Sequence, residues 1–288
     1  MKIYILPFNK QFQPEKNPFN YPSHTKDYFV EQDFYKYLLK NREITTQNSA
    51  EADWHYLPIY WTRWHLIHDY AKTGLVELQQ EVDKSILDDN KTFTICQYDD
   101  GPIVNLGKTT IFLSSRKTER DIDIPLLCSP HRKPFFLPAK KYLASFLGRL
   151  STHSIRQEMV EYVKQREDVY INDGDKGSKF FVKKTLESYI ALCPRGYGGS
   201  SFRFFESMQL GVVPFLIGDI DTRPFKKWIS WSEVSLFANS VENINDILDS
   251  LNQSELLKMG QNTTKLYKEK LTYQKWCQYV IKELEELK

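Results

Sequence analysis

Residues 193–219, CPRGYGGSSFRFFESMQLGVVPFLIGD, concentrate groups suited to holding an anion. Arg195 and Arg203 each carry the planar fork that matches a diphosphate. Gly196, with Gly198 and Gly199, lets backbone N–H groups come close to such a ligand. Ser200 and Ser201 are placed to cap a helix or to donate to a phosphate oxygen. An apolar run, Tyr189 to Cys193, precedes the loop and a second follows at 212–217. The loop therefore joins the end of a buried strand to a helix N-terminus, where unpaired N–H groups and the helix dipole favour negative charge. Glu206 shares a helical face with Arg203, either as its surface ion partner or as an acceptor for ribose hydroxyls. The loop contains neither GxxxxGKS/T nor GxGxxG, which excludes a P-loop and a dinucleotide fingerprint.

The elements that must position this loop follow from periodicity. Strands are expected at 2–7, 54–60, 92–98, 110–114, 142–148, 169–172, 189–193 and 212–217. Helical spacing covers 28–41, a long stretch after 60 with Gly74 as a break, 154–166, 179–187, 201–210, 241–251 and roughly 254–287. Residues 9–25, rich in Pro, Asn, Gln and Lys, and the Pro-rich 125–138 read as loops. Strands alternating with helices indicate βαβ units and parallel sheets, whose ligands collect at the carboxyl ends of strands. Two such ends stand out, Gly148-Arg149 and Pro194-Arg195-Gly196.

At 288 residues the chain is long enough for two domains, and its net charge of +2 argues against a dedicated nucleic-acid binder. The four cysteines are widely spaced without a CxxC pair and read as buried thiols. The N-terminal apolar stretch is too short for a signal-peptide core, and no run approaches a membrane span. Sequons at Asn90, Asn252 and Asn262 are expected to be unused, and the chain reads as cytoplasmic.

The stretch PRGYGGSSFRFFESMQLGVVPFLIGD resembles the exostosin-type glycosyltransferases, family 47. Their signature runs PRG, then S-x-R-x-x-E, then a strand with Val/Ile-Pro. Other blocks resemble the family in the same order: MKIYILPFNKQF, YFVEQDFYKYLL, EADWHYLPIYW, FTICQYDDGP, DIDIP, YLASFLGR and RPFKKWISWSEVSLF. The resemblance spans residue 1 to about 238. It implies an α/β GT-B fold of two Rossmann-like lobes facing each other across a cleft. The lobes would be an acceptor-side lobe over 1–140 and a nucleotide-sugar lobe over 141–270, with a C-terminal helix over 271–288 returning to brace the first.

The resemblance further implies an inverting transfer from a nucleotide sugar, a UDP-sugar such as UDP-xylose or UDP-glucuronic acid, to a glycan hydroxyl. Arg195, Gly196, Ser200, Ser201 and Arg203 would hold the diphosphate, Arg149 would add a second phosphate contact, and Glu206 would hold the ribose. Fixed cations and helix N–H groups could stabilise the leaving phosphate without a metal, so no cofactor is expected. The base that takes the acceptor proton is expected from Asp100 or Asp99 in the YDDGP turn, of which one at most can face the cleft. His131 in SPHRKP is the next candidate. Turn capping is the plain alternative for the aspartates.

Asp121-Ile-Asp123 and Asp219-Ile-Asp221 match the DxD pattern of metal-dependent GT-A transferases, the rival reading within enzymes. A catalytically idle nucleotide- or glycan-binding subunit is the rival outside them. His65 with His68 is a weak metal pair, and Trp61 with Trp64 fits either a sugar platform or one buried helix face. Many eukaryotic relatives carry an N-terminal membrane anchor. The match here begins at residue 1, so the expectation is either a bacterial or viral enzyme that builds a cytosolic glycan or a chain trimmed of its anchor; separately, a monomer or homodimer is expected.

Overall fold

Short apolar runs punctuated by Gly and Pro become parallel strands, and each intervening amphipathic stretch becomes a covering helix. The computed structural model describes residues 1–16 and 23–288. The loop expected over 9–25 therefore falls partly on 17–22, outside the described residues. Within it, Lys10–Phe12 forms a short 3-10 turn capped by the Asn9 side chain.

The described residues form two compact units: Met1–Leu127 together with Tyr273–Lys288, and Cys128–Thr272. The first unit runs β1 (Ile3–Ile5), α1 (Val30–Lys40), β2 (Thr45–Thr46), β3 (Trp54–Tyr56), α2 (Trp61–Ile67), α3 (Leu75–Ser85), β4 (Thr92–Cys96), β5 (Thr110–Leu113) and β6 (Ile122–Asp123). Its six strands are all parallel, in the order β2-β1-β3-β4-β5-β6. The strand expected over 54–60 stops at Tyr56. The long helix expected after 60 is two, α2 and α3, separated by Gly74 in the left-handed region at φ 72°. Trp61 and Trp64 are buried, and Trp61 Nε1 donates to Thr94 Oγ1 at 2.8 Å, so this pair packs the core. His65 is buried too, and burial lowers its pKa to about 4.

The second unit runs β7 (Tyr142–Gly148), α4 (Ser154–Val163), β8 (Val169–Asp173), α5 (Ser178–Leu186), β9 (Ser188–Pro194), α6 (Phe202–Leu210), β10 (Val213–Ile217), β11 (Leu236–Ala238), α7 (Ile244–Asp249) and α8 (Gln253–Leu266). Its parallel sheet has the order β11-β10-β9-β7-β8. Strands covered on both faces read as nearly unbroken apolar runs, and VPFLI of β10 is buried throughout. One sheet face, carrying Phe146, Ile190, Leu192 and Phe215, packs on Met159 of α4 and Leu248 of α7. Strand order reverses direction between β7 and β9, the point where a doubly wound sheet opens a crevice at its carboxyl edge.

The single helix expected over 254–287 is broken. After α8 the chain makes one π-type turn, Tyr267–Leu271, and Thr272 is extended. It restarts as α9 (Cys277–Leu287), within the first unit. Asp33 of α1 holds the interrupted segment by accepting from Gln274 N at 3.0 Å and Trp276 Nε1 at 3.1 Å, with Gln274 at φ 70°. Farther along α9, the Leu284 carbonyl accepts from Trp54 Nε1 at 3.0 Å. All four cysteines are buried, free thiols.

Candidate active site

The carboxyl ends of β7 and β9 are tied together by one side chain. Arg156, buried on α4, donates to the carbonyls of Arg149 (2.8 Å), Arg195 (2.9 Å) and Pro194 (3.3 Å). Its guanidinium is thus committed to three backbone oxygens at the switch point. Burial, and then the neighbouring Arg203, lowers its pKa to about 9. Nothing in the sequence singles out Arg156. In SIRQEMV it reads as an ordinary polar position of an amphipathic helix, and two of its three partners lie 38 and 39 residues away.

Arg203, in the first turn of α6, bends back to donate through Nε to the Leu147 carbonyl, with its guanidinium 5.1 Å over the Phe146 ring. Glycine at 148 permits this. A Cβ there would lie 2.6 Å from Arg203 Nε and closer still to the rest of the guanidinium. Burial lowers the Arg203 pKa, and Glu206 opposes the shift. Arg195, also buried, donates through Nε to Gly198 O at 3.2 Å and ion-pairs with the exposed Asp219 beyond β10. Its backbone N–H bonds Ile217 O at 2.9 Å, which fixes the start of the loop to the sheet. Thr222 Oγ1 bonds Gly199 O at 3.2 Å and holds the loop from the other side. Gly196 N–H closes the loop on the Ser200 carbonyl at 3.3 Å.

Ser201 occupies the N-cap position of α6, is 3% exposed, and makes no capping hydrogen bond. Its Oγ has no partner among the described residues. An unpaired buried hydroxyl costs free energy, on the order of 1–3 kcal/mol, unless a ligand satisfies it. Ser200 beside it is buried as well. The Arg149 side chain is exposed and has no ion pair among the described residues. His153, the N-cap of α4, has a pKa lowered by burial and then by the Arg195 charge, a further sign of the positive potential here.

Glu206 pairs with His131 and not with Arg203. His131 Nε2 lies 2.8 Å from Glu206 Oε1, and both side chains are nearly buried. His131 N–H donates to Gln209 Oε1 at 2.8 Å, and its ring packs on Phe181 of α5. The second carboxylate oxygen of Glu206 has no hydrogen-bond partner among the described residues and can accept from a ligand. Asp99 and Asp100 lie in the other unit, in the turn after β4, where Gly101 N–H bonds Tyr98 O at 2.9 Å. Asp99 is half-buried. Asp100 is exposed and ion-paired with Lys117. Three of the four DxD aspartates are engaged by arginines, Asp123 by Arg116 at 2.8 Å, Asp219 by Arg195, and Asp221 by Arg223 at 2.8 Å, while Asp121 accepts from Thr118 Oγ1 at 3.5 Å.

The sequence model of the exostosin GT47 domain matches residues 102–253, just over half of the chain. The chain belongs to the exostosin GT47 family. It is similar to exostosin-1 of Drosophila melanogaster, 26% identical over 153 residues that make up 44% of this chain and 20% of the relative. It is also similar to a probable glucuronoxylan glucuronosyltransferase of Arabidopsis thaliana, 27% identical over 117 residues, 40% of this chain and 24% of the relative. The chain thus spans about a quarter or less of the length of these GT47 relatives. Among solved structures, AviGT4, a glycosyltransferase involved in avilamycin A biosynthesis, aligns with 99% of this chain and 97% of its own at 10% identity and a TM-score of 0.41.

The α/β expectation holds in both units, each a parallel sheet with flanking helices. The matched GT47 segment contains Arg149, His131 and the whole β9–α6 loop. No helix among the described residues is long and apolar enough to cross a membrane.

Proposed function

We propose that this chain is a glycosyltransferase that binds a nucleotide sugar at the β9–α6 loop and transfers the sugar, with inversion and without a metal, to a glycan hydroxyl. One observation carries the reading. Three arginines and an unpartnered, buried serine hydroxyl converge on a helix N-terminus at the switch point of the second sheet. The first-turn N–H groups of α6, the Ser201 hydroxyl, Arg195 and Arg203 would receive the diphosphate. Arg149 would contribute from the rim, while Gly196, whose N–H is taken by the Ser200 carbonyl, would serve by shaping the loop. Glu206 would accept from the ribose hydroxyls, held at the required angle by His131.

This assignment gives His131 a positioning role instead of the base role weighed from the sequence. Its ring is committed to Glu206 within the donor-binding unit. Departure of the nucleotide leaves charge on the terminal phosphate, and preorganised cations and dipoles stabilise that charge without reorganising. Arg156 touches no ligand in this account. It fixes the two strand ends that carry Arg149 and Arg195. Asp100 is the proposed base, with Asp99 as the alternative. Support for metal-free chemistry is the engagement of Asp123, Asp219 and Asp221 by arginines, which occupies three of the four DxD carboxylates. The donor is proposed as a UDP-sugar, UDP-xylose or UDP-glucuronic acid.

The test is release of nucleotide from a panel of UDP- and GDP-sugars by the purified chain in EDTA, with a glycan acceptor present. Turnover of one UDP-sugar in EDTA is the expected result. Activity only with added Mn²⁺ or Mg²⁺ would remove the metal-free mechanism. Tight UDP binding with no turnover of any donor would make the chain an idle binding subunit.

A further inference from the structure

Between α6 and the start of β9 the protein holds out a loop whose apolar tip no described residue covers. Residues 131–141 read HRKPFFLPAKK, with four cations and no carboxylate. Phe135 is 93% exposed, Phe136 83% and Leu137 63%. Scattered single apolar residues on a surface need no explanation, but three consecutive large ones at such exposure do.

The tip is presented by a fixed base. On one side, Gln209 of α6 accepts from His131 N–H at 2.8 Å and donates to Ser129 O at 3.2 Å, and the His131 ring binds Glu206. On the other, Lys141 N–H donates to Glu187 O at 2.7 Å, and Lys140 Nζ donates to Ser188 O at 2.6 Å. Pro134 and Pro138 bracket the apolar triplet and restrict its backbone. The two phenyl rings meet edge to face, 4.9 Å between centroids, so the tip is one apolar body.

From the loop's charge and shape, we infer that Pro134–Pro138 is a membrane-docking tip that inserts Phe135, Phe136 and Leu137 into an anionic lipid surface while Arg132, Lys133 and neighbouring lysines meet its headgroups. Aromatic side chains favour the headgroup level of a bilayer, and basic residues near an anionic surface add an attraction that salt screens. The cations are crowded and want counter-charge. Lys133 has a pKa lowered by burial and by Lys268, and Lys140 one lowered to about 8 by burial and by Lys133. Among the described residues, Lys141 is ion-paired, 3.5 Å from Glu187, and Lys140 Nζ meets only a backbone carbonyl. A phosphate-rich surface supplies the missing negative charge, and an apolar partner face would not. The tip is independent of the donor-site reading, so the two stand or fall separately.

The experiment is co-sedimentation of the full chain with phosphatidylcholine vesicles, with and without phosphatidylglycerol. The wild type should sediment with the anionic vesicles, less so as salt rises. The triple substitution Phe135→Ser, Phe136→Ser, Leu137→Ser should weaken this at least about tenfold, since each buried methylene counts. Arg132→Glu with Lys133→Glu should lose roughly fivefold per cation removed. All five positions are exposed, and an unchanged melting temperature confirms that the variants are folded. No sedimentation with anionic vesicles, equal sedimentation of wild type and triple variant, or a wild-type dimer that the triple variant converts to monomer without any lipid binding would each overturn the inference. The last would make the tip an interface between two copies.

Discussion

Gly148→Ala changes no charge and removes no ligand-binding group, yet it should weaken UDP binding as strongly as removing Arg203. The added Cβ would sit within 2.6 Å of Arg203 Nε and nearer to the other guanidinium atoms. The strand backbone cannot retreat without breaking its pairing to β8, where Gly148 stands opposite Asp173. The side chain of Arg203 must therefore move and give up its bond to Leu147 O. A hydrogen bond from a charged group is worth about 1.5–3 kcal/mol, so loss of the same guanidinium from a diphosphate predicts a 10- to 150-fold rise in Kd. Calorimetric titration of UDP into wild type, Gly148→Ala, Arg203→Ala and the double variant is the assay. The two single variants should weaken binding similarly, and the double should add little to either, because both remove one interaction. Wild-type affinity in Gly148→Ala, or full additivity in the double variant, would refute the placement of Arg203 in the site.

Three other outcomes follow from the geometry. Glu31 is buried, accepts from Thr62 N, Thr62 Oγ1 and Gln97 N, and has its pKa raised from 4.5 to about 7, chiefly by burial. Because the folded pKa is the higher, its contribution to stability is complete below pH 4.5 and is lost as pH rises through 7. Urea unfolding of Glu31→Gln should gain on wild type by about 3 kcal/mol across that window, and parallel pH profiles would contradict the assignment. Gly260→Ala should lower the melting temperature of the second unit, since its Cβ would run into the Gly211 carbonyl, an overpacking cost of about 1–3 kcal/mol. An unshifted melt would show that α8 gives way freely. Asp100→Asn should leave UDP affinity unchanged and abolish transfer. Surviving transfer would move the base to Asp99.

The alternation of strands and helices was legible because parallel strands buried on both faces, such as SYIALCP and VPFLI, leave unbroken apolar runs. The strand–helix junction that carries the glycines, serines and arginines of PRGYGGSSFRFFE was legible too, because it falls where an apolar run ends and an amphipathic stretch begins. Contacts made across the chain were not. Asp33 holds the interrupted C-terminal segment from 241 residues away, while the periodicity of 254–287 runs on undisturbed. His131 meets Glu206 from 75 residues away, a pairing that no spacing in the sequence announces. Arg156 was hidden by its surroundings, because nothing in a helical repeat says that one arginine faces three carbonyls. The family resemblance reached the site through the residues around that arginine, and the physical tie between the two strand ends emerges only in three dimensions.

The most direct test of the central claim is a crystal structure of the chain with UDP. The account predicts the diphosphate at the first turn of α6, an oxygen about 2.7 Å from Ser201 Oγ, Arg195 and Arg203 in contact with it, and a ribose hydroxyl on Glu206. UDP bound elsewhere, or a Ser201 hydroxyl still without a partner in the complex, would contradict it.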